Sequence, residues 1–155
     1  MYKVICAGLA LAFVSLTAAN ADDGKGLIVK KSIYSFEDTI SKLEEALAAR
    51  NIGVMNKIDH AANAESVDMT LRPTTLVIFG NPAVGSQLMA ASQSIGIDLP
   101  LKALVIESET GEVYVIYNDI RALAERHGVP SDHEAVNRIA GGLEMVSNAA
   151  SGAAE

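Results

Sequence analysis

His60 is the side chain in this sequence best suited to chemistry, because an imidazole titrating near neutrality can act as a general base or give one nitrogen to a metal. It ends a predicted strand, Val54 to His60, in which Val54, Asn56, Ile58 and His60 share one face and Met55, Lys57 and Asp59 the other. Asp59, its neighbour, points away in a regular strand and cannot orient the ring. The plainer role is a hydrogen-bonded histidine closing the rim of the core, so His60 is a candidate and no catalytic residue is assigned.

Gly80-Asn81-Pro82 is the second feature. Glycine admits a ligand to the backbone, and free amides at a helix start suit a carboxylate or phosphate. Against that, Pro82 removes one amide, and the spacing lacks the glycines and lysine of a phosphate loop. Arg72, Lys102 and Tyr117 also lie where predicted strands begin or end. Strand ends can converge, so His60, Arg72, Gly80, Asn81, Lys102 and Tyr117 are expected to form one rim, with Arg72 or Lys102 near Asn81 making a small anion pocket. Single strand-end charges are more often solvated or paired, and Asn118 and Asp119 fit better as helix caps.

Two functions follow from that rim. One is non-catalytic binding of a small anionic ligand or a protein partner. The other is a hydrolase or isomerase in which His60 is the base and the Asn81 turn stabilises an anion. Other chemistries find less support. His60, His127 and His133 have no paired metal-ligand spacing, and zinc usually takes nitrogen and sulfur. No metal and no cofactor is expected. There is no Gly-x-Ser-x-Gly elbow for a nucleophilic serine, and His127 suits the negative end of its helix.

The N-terminus bounds where this chemistry takes place. Lys3, an apolar run from Val4 to Leu16 and the small triplet Ala19-Asn20-Ala21 read as a signal peptide over residues 1–21. The run is too short for the roughly 20 residues of a membrane span, so stable membrane insertion is not expected. Export to the periplasm or the medium is. The chain's one cysteine, Cys6, lies inside the leader, so the exported part would have no thiol and would be held by burial alone. Without Lys3 the balance is 11 basic against 19 acidic residues, a formal −8. That charge, with no basic cluster, argues against nucleic acid and against anionic lipid.

The elements that must position the rim can be read from period and caps. Leu27, Val29 and Ile33 alternate with Ile28, Lys30 and Ser32 as in a strand with one buried face. Ser35 caps a helix with apolar positions Phe36, Ile40, Leu43 and Leu47, closed by Gly53. After the strand ending at His60 comes a connection with one short helical turn. Thr74 to Phe79 is charge-free and predicts a strand covered on both sides. Asn81 caps the next helix with Pro82 first, and that helix runs to about Ser94 with Gly96 as its stop. Leu101–Glu107 and Val113–Tyr117 form a hairpin. Asp119 caps a helix ending at Gly128, and Ser131 or Asp132 caps a last one with Val136, Ile139, Leu143 and Val146 inward.

The order β-α-β-β-α-β-β-α-α gives an α+β fold, a mixed, largely antiparallel sheet with its helices on one face. Residues 22–26 form a short lead, 27–148 a single domain, and 149–155 a frayed tail. A sheet face or edge left uncovered predicts a homodimer.

Ile58-Asp59-His60, Leu71-Arg72-Pro73-Thr74, Phe79-Gly80-Asn81-Pro82, Gly85, Leu88-Met89, Asp98-Leu99-Pro100-Leu101-Lys102 and Tyr117-Asn118, in this order, resemble the domain of unknown function 302 family over roughly residues 27–148. The resemblance implies a small bacterial or archaeal α+β module, dimeric in its known structures. It implies no reaction and no ligand.

Overall fold

The computed structural model describes residues 21–22 and 26–153. Apart from Ala21, the expected leader lies outside the described residues. In chain order the elements are β1 (Ala21–Asp22), β2 (Leu27–Ser32), α1 (Phe36–Ala48), β3 (Gly53–Asp59), α2 (His60–Glu65), β4 (Thr74–Gly80), α3 (Pro82–Ala91), a 3-10 turn (Gln93–Ile97), β5 (Leu101–Glu107), β6 (Val113–Asn118), α4 (Ile120–Arg126) and α5 (Glu134–Ser151).

The α+β class holds, with one sheet in the order β1-β2-β6-β5-β4-β3. Every pairing is antiparallel, where a mixed sheet was allowed for. Connectivity explains this. Strands β3 to β6 follow one another as a meander, while α1 carries the chain from β2 across the sheet to β3, so these two like-directed strands never become neighbours. The β5–β6 hairpin turns at Gly111, whose φ of 79° is left-handed.

Local chemistry sets most boundaries. Ser35 Oγ accepts from the Asp38 amide at the start of α1, and Asn81 Oδ1 from the Ala83 amide at the start of α3. Helix α1 stops at a left-handed Asn51, φ 54°, and the expected stop Gly53 instead begins β3. Helix α3 ends at Ala91 and gives way to the 3-10 turn before Gly96 is reached. The last helix is capped by neither Ser131 nor Asp132: His133 Nδ1 accepts from the Ala135 amide at 3.1 Å. The tail is also corrected. Residues Ala149 to Ser151 stay helical, Ala150 and Ser151 are fully buried, and the Ser151 carbonyl accepts from the Ile33 amide at 2.9 Å.

The core lies between the sheet and a helix layer in which α1, α3 and α4 all pack on α5. Leu43, Leu47, Val77, Phe79, Val105 and Val115 are buried there. Strand β4 is covered on one side only: Thr75, Val77 and Phe79 are buried, while Thr74, Leu76 and Ile78 are half-exposed. Strand β2 departs from this pattern. Lys30 and Ser32 go under the helices, and Leu27 and Val29 face away from them.

Candidate functional site

The strand register divides the expected rim. Asp59, the residue before His60, pairs with Thr75, whereas Gly53 pairs with Gly80. Five residues at about 3.3 Å each put roughly 17 Å between these ends. His60 and Arg72 therefore lie at one end of the sheet, and Gly80, Asn81, Lys102 and Tyr117 at the other. The hydrolase or isomerase arrangement, with His60 as base beside the Asn81 turn, is not assembled. His60 is the first residue of α2, which Asp59 caps by accepting from the Ala62 amide at 2.9 Å.

The remaining candidates are held by their own neighbours. Arg72 Nε donates to the Glu107 carbonyl at 3.3 Å, and its guanidinium lies 3.6 Å from Glu109. Lys102 Nζ donates to the carbonyls of Asp98 and Pro100, at 3.0 and 2.9 Å. A β-carbon on Gly80 would already touch Met55 and Pro100, each at 3.6 Å. Tyr117 and Lys102 also face opposite sides of the sheet, because Tyr117 pairs with the buried Ala103.

Tyr117 nevertheless lines a cavity of about 190 Å³ between β2, β6, α4 and α5. Its walls are Ile28, Ile120, Ala140 and Leu143, with Lys30, Tyr117, Asp119, Arg121 and Glu144 among them. Lys30 is 5% exposed. Its ammonium donates to Asn148 Oδ1 and, at 3.5 Å, to the Glu144 carbonyl. Burial pushes the Lys30 amine below its ordinary value, and nearby Glu144 pulls it partly back. Burial likewise pushes the Tyr117 phenol upward, opposed by the hydrogen bond from Ser147 Oγ at 3.1 Å. A cavity with displaced titrating groups is where ligand chemistry is expected. Sequence reading found Tyr117 but missed Lys30, since a lysine in an alternating strand reads as solvent-facing. A wider hollow of about 590 Å³, lined by Gly26, Ala122, Glu125, Val129 and Ser131, adjoins through Asp119 and Arg121.

A second cluster was also missed. His127 Nε2 lies 2.7 Å from Asp98 Oδ2, and its Nδ1 lies 2.8 Å from Ser94 Oγ. A carboxylate on one ring nitrogen and a hydroxyl on the other is the connectivity of a base-activated serine. His127 is nearly buried and Ser94 exposed. None of the three lines either hollow, and together with Arg126, 3.4 Å from Asp98, they tie the turn before β5 to the end of α4. Among the described residues, no group of three or more His, Cys, Asp or Glu is placed to hold a metal.

Comparison with known proteins adds three findings. The family model described as "Domain of unknown function DUF302" matches residues 28–146. The chain is 36% identical over 129 residues to proteins named Fluoride-specific ion channel FluC 1 from Brucella suis biovar 1 (strain 1330) and Brucella abortus biovar 1 (strain 9-941). These matches take in 82% of this chain and 50% and 47% of those proteins, so the chain spans about half the length of the curated relatives. A crystal structure of an uncharacterised conserved DUF302 protein from Bacillus stearothermophilus superposes with a TM-score of 0.74 at 17% identity, covering 81% of this chain and 98% of that one. At that identity it is the fold that is shared.

Proposed function

We propose a function for this chain, which belongs to the family of domains of unknown function DUF302: an exported homodimeric module that binds a small polar ligand and has no catalysis of its own. The observation that carries this reading is the orientation of β2. Lys30 is turned inward to a cavity, while Leu27 and Val29 are turned outward to the face opposite the layer of α1, α3, α4 and α5.

That outer face is continuous. Val29 pairs with Ile116, Ile116 with Leu104, Leu104 with Leu76, and Leu76 with Ile58, giving one aliphatic row across five strands. Five strands about 4.8 Å apart and some 20 Å long present about 480 Å² of flat area. This approaches the roughly 600 Å² per partner of the smallest stable interfaces before side-chain relief is counted. The face carries no carboxylate on β2 to β6, although the exported chain would carry a formal −8. Two copies can therefore meet there without carboxylate repulsion, Lys31 being paired with Glu112 at the rim and Lys102 held by the carbonyls of Asp98 and Pro100. Among the described residues no helix is long and apolar enough to cross a membrane.

The test is sedimentation equilibrium and intact mass on the protein recovered from the export compartment. A mass beginning at Asp22 and a dimer that Leu104→Glu converts to monomer are expected. A monomer at all concentrations sinks the dimer, and a mass that retains the leader sinks the export.

A second reading, hydrolysis at Ser94, is favoured by the Ser94–His127–Asp98 contacts. It predicts that a fluorophosphonate labels Ser94 and that His127→Gln abolishes labelling. No label at Ser94 removes it.

A further inference from the structure

We infer that the cavity beside Lys30 is a site for a small zwitterion, an α-amino acid with a short apolar side chain. This deepens the ligand-binding reading above and rests on it. Four observations lead there.

The first is the count of donors on Lys30. An ammonium has three N–H groups, and two are taken by Asn148 and the Glu144 carbonyl. The third remains for whatever occupies the cavity that Lys30 lines. Lys30 is 5% exposed, so only water or a ligand inside the cavity can meet that donor, and a charged hydrogen bond is worth more than a neutral one. A carboxylate in the cavity would meet that need.

The second is that the lining carries both signs. Lys30 and Arg121 are matched by Asp119 and Glu144. A simple anion would gain from the first pair and be repelled by the second, and a simple amine the reverse. Only a ligand with both charges gains from all four.

The third concerns the mouth. Arg121 and Glu144 are exposed, and neither side chain makes an ion pair or hydrogen bond among the described residues. Elsewhere on this surface Lys31 pairs with Glu112, Lys57 with Glu44 and Arg138 with Glu134. Asp119 spends one oxygen on capping α4, through the Arg121 amide at 2.9 Å, and keeps the other.

The fourth is size and polarity. Ile28, Ile120, Ala140 and Leu143 give the charged groups an apolar wall. The volume of about 190 Å³ equals roughly six waters at ~30 Å³ each. That admits an amino acid with a short aliphatic side chain and is too small for a nucleotide or an oligosaccharide.

Binding is measured by calorimetry and ligand-observed NMR on the full exported chain, with L-alanine, propionate and propylamine as probes. Alanine should bind about ten-fold or more tightly than either probe that lacks one of its charges. Arg121→Gln, an exposed change that leaves the core intact, should weaken alanine and propionate together. Glu144→Gln should weaken alanine and propylamine and leave propionate unchanged. Ala140→Leu should weaken alanine by filling the wall. If propionate binds as well as alanine, the site is an anion site and the inference is wrong. If none of the three binds to a protein shown to be folded and dimeric, the cavity is a packing gap and the inference is equally wrong, with the dimer untouched. Leu104→Glu separates the two readings, since a monomer that still binds alanine keeps this site while testing only the interface.

Discussion

The two faces of the sheet invert the usual rule on one strand and obey it on the others. Under the helices, β4, β5 and β6 bury Val77, Phe79, Val105 and Val115, as a core should. At β2 the same layer instead buries Lys30 and Ser32, facing Thr39, Ser147 and Ser151 on the helices. On the open side the same β2 contributes Val29 to an unbroken aliphatic row. The apolar seam supplies stability. The polar seam, in which no buried side-chain polar atom of the described residues lacks a partner, supplies shape and a cavity. The open face supplies surface for another molecule. Burial of polar atoms beside exposure of aliphatic ones is hard to justify by stability alone, so the difference between the faces points to function.

The largest expected effect tests the ordinary part of the covered face. Phe79 is 2% exposed near the end of β4, under the helices, and Phe79→Ala should cost about 3–5 kcal/mol in urea unfolding. A loss below ~1 kcal/mol would mean that this region is loosely packed. Next comes the polar seam. Ser32 Oγ bonds Thr39 Oγ1 at 2.7 Å and accepts from the Tyr34 amide at 3.1 Å. Ser32→Ala leaves the Tyr34 amide without its acceptor, while the Thr39 hydroxyl keeps its donation to the Ser35 carbonyl, and should cost about 1–3 kcal/mol, whereas Ser32→Thr should recover part of it. If Ser32→Ala is silent, the seam is wet and the contrast between the faces collapses.

On the open face the expectation reverses. Leu104→Glu should alter the stability of the monomer by less than ~1 kcal/mol, as half-exposed positions do, while abolishing the protein-concentration dependence of the melting temperature that a dimer shows. A large loss in a protein that was already monomeric would show that Leu104 belongs to the core.

Much of this architecture is legible in the residues, and the exceptions share a cause. Caps and turns are local, so Ser35, Asn81, Asp119 and Gly111 announce their roles without help from the rest of the chain. Strand faces are not local. The period of β2 gives two faces, and which of them meets the helices depends on α5, more than a hundred residues further on, whose Asn148 receives Lys30. Register is not local either. The expected rim of His60 and Asn81 failed because strand ends converge only when they are the same end, and the pairing of β3 with β4 decides that. A further obstacle is the shift between Val54 and Asn56, a bulge that breaks the alternation expected to carry from Val54 to His60. His127 and Ser94 are 33 residues apart on a helix end and a 3-10 turn, and no spacing rule brings them together.

The smallest effect is a slope, and it isolates the lysine that distinguishes the two sides of β2. Lys30 is driven below its ordinary 10.5 in the folded chain by burial, so between its folded and unfolded values the unfolded chain holds more protons. Stability from this group therefore rises as pH climbs through that window, and the penalty for burying the charge is fully present below it. Tyr117 works in the opposite direction at higher pH, because its folded value is raised and the unfolded phenol gives up its proton first. Lys31, raised by Glu112, also loses stabilisation on the alkaline side. Both are present in wild type and in Lys30→Met, so the difference between the two proteins removes them. The wild type should gain on Lys30→Met as pH is raised from neutrality towards 10.5, measured by urea unfolding at a series of pH values. A flat difference would mean that the amine is as well solvated in the fold as out of it, and the covered face would then have no polar seam to set against the open one.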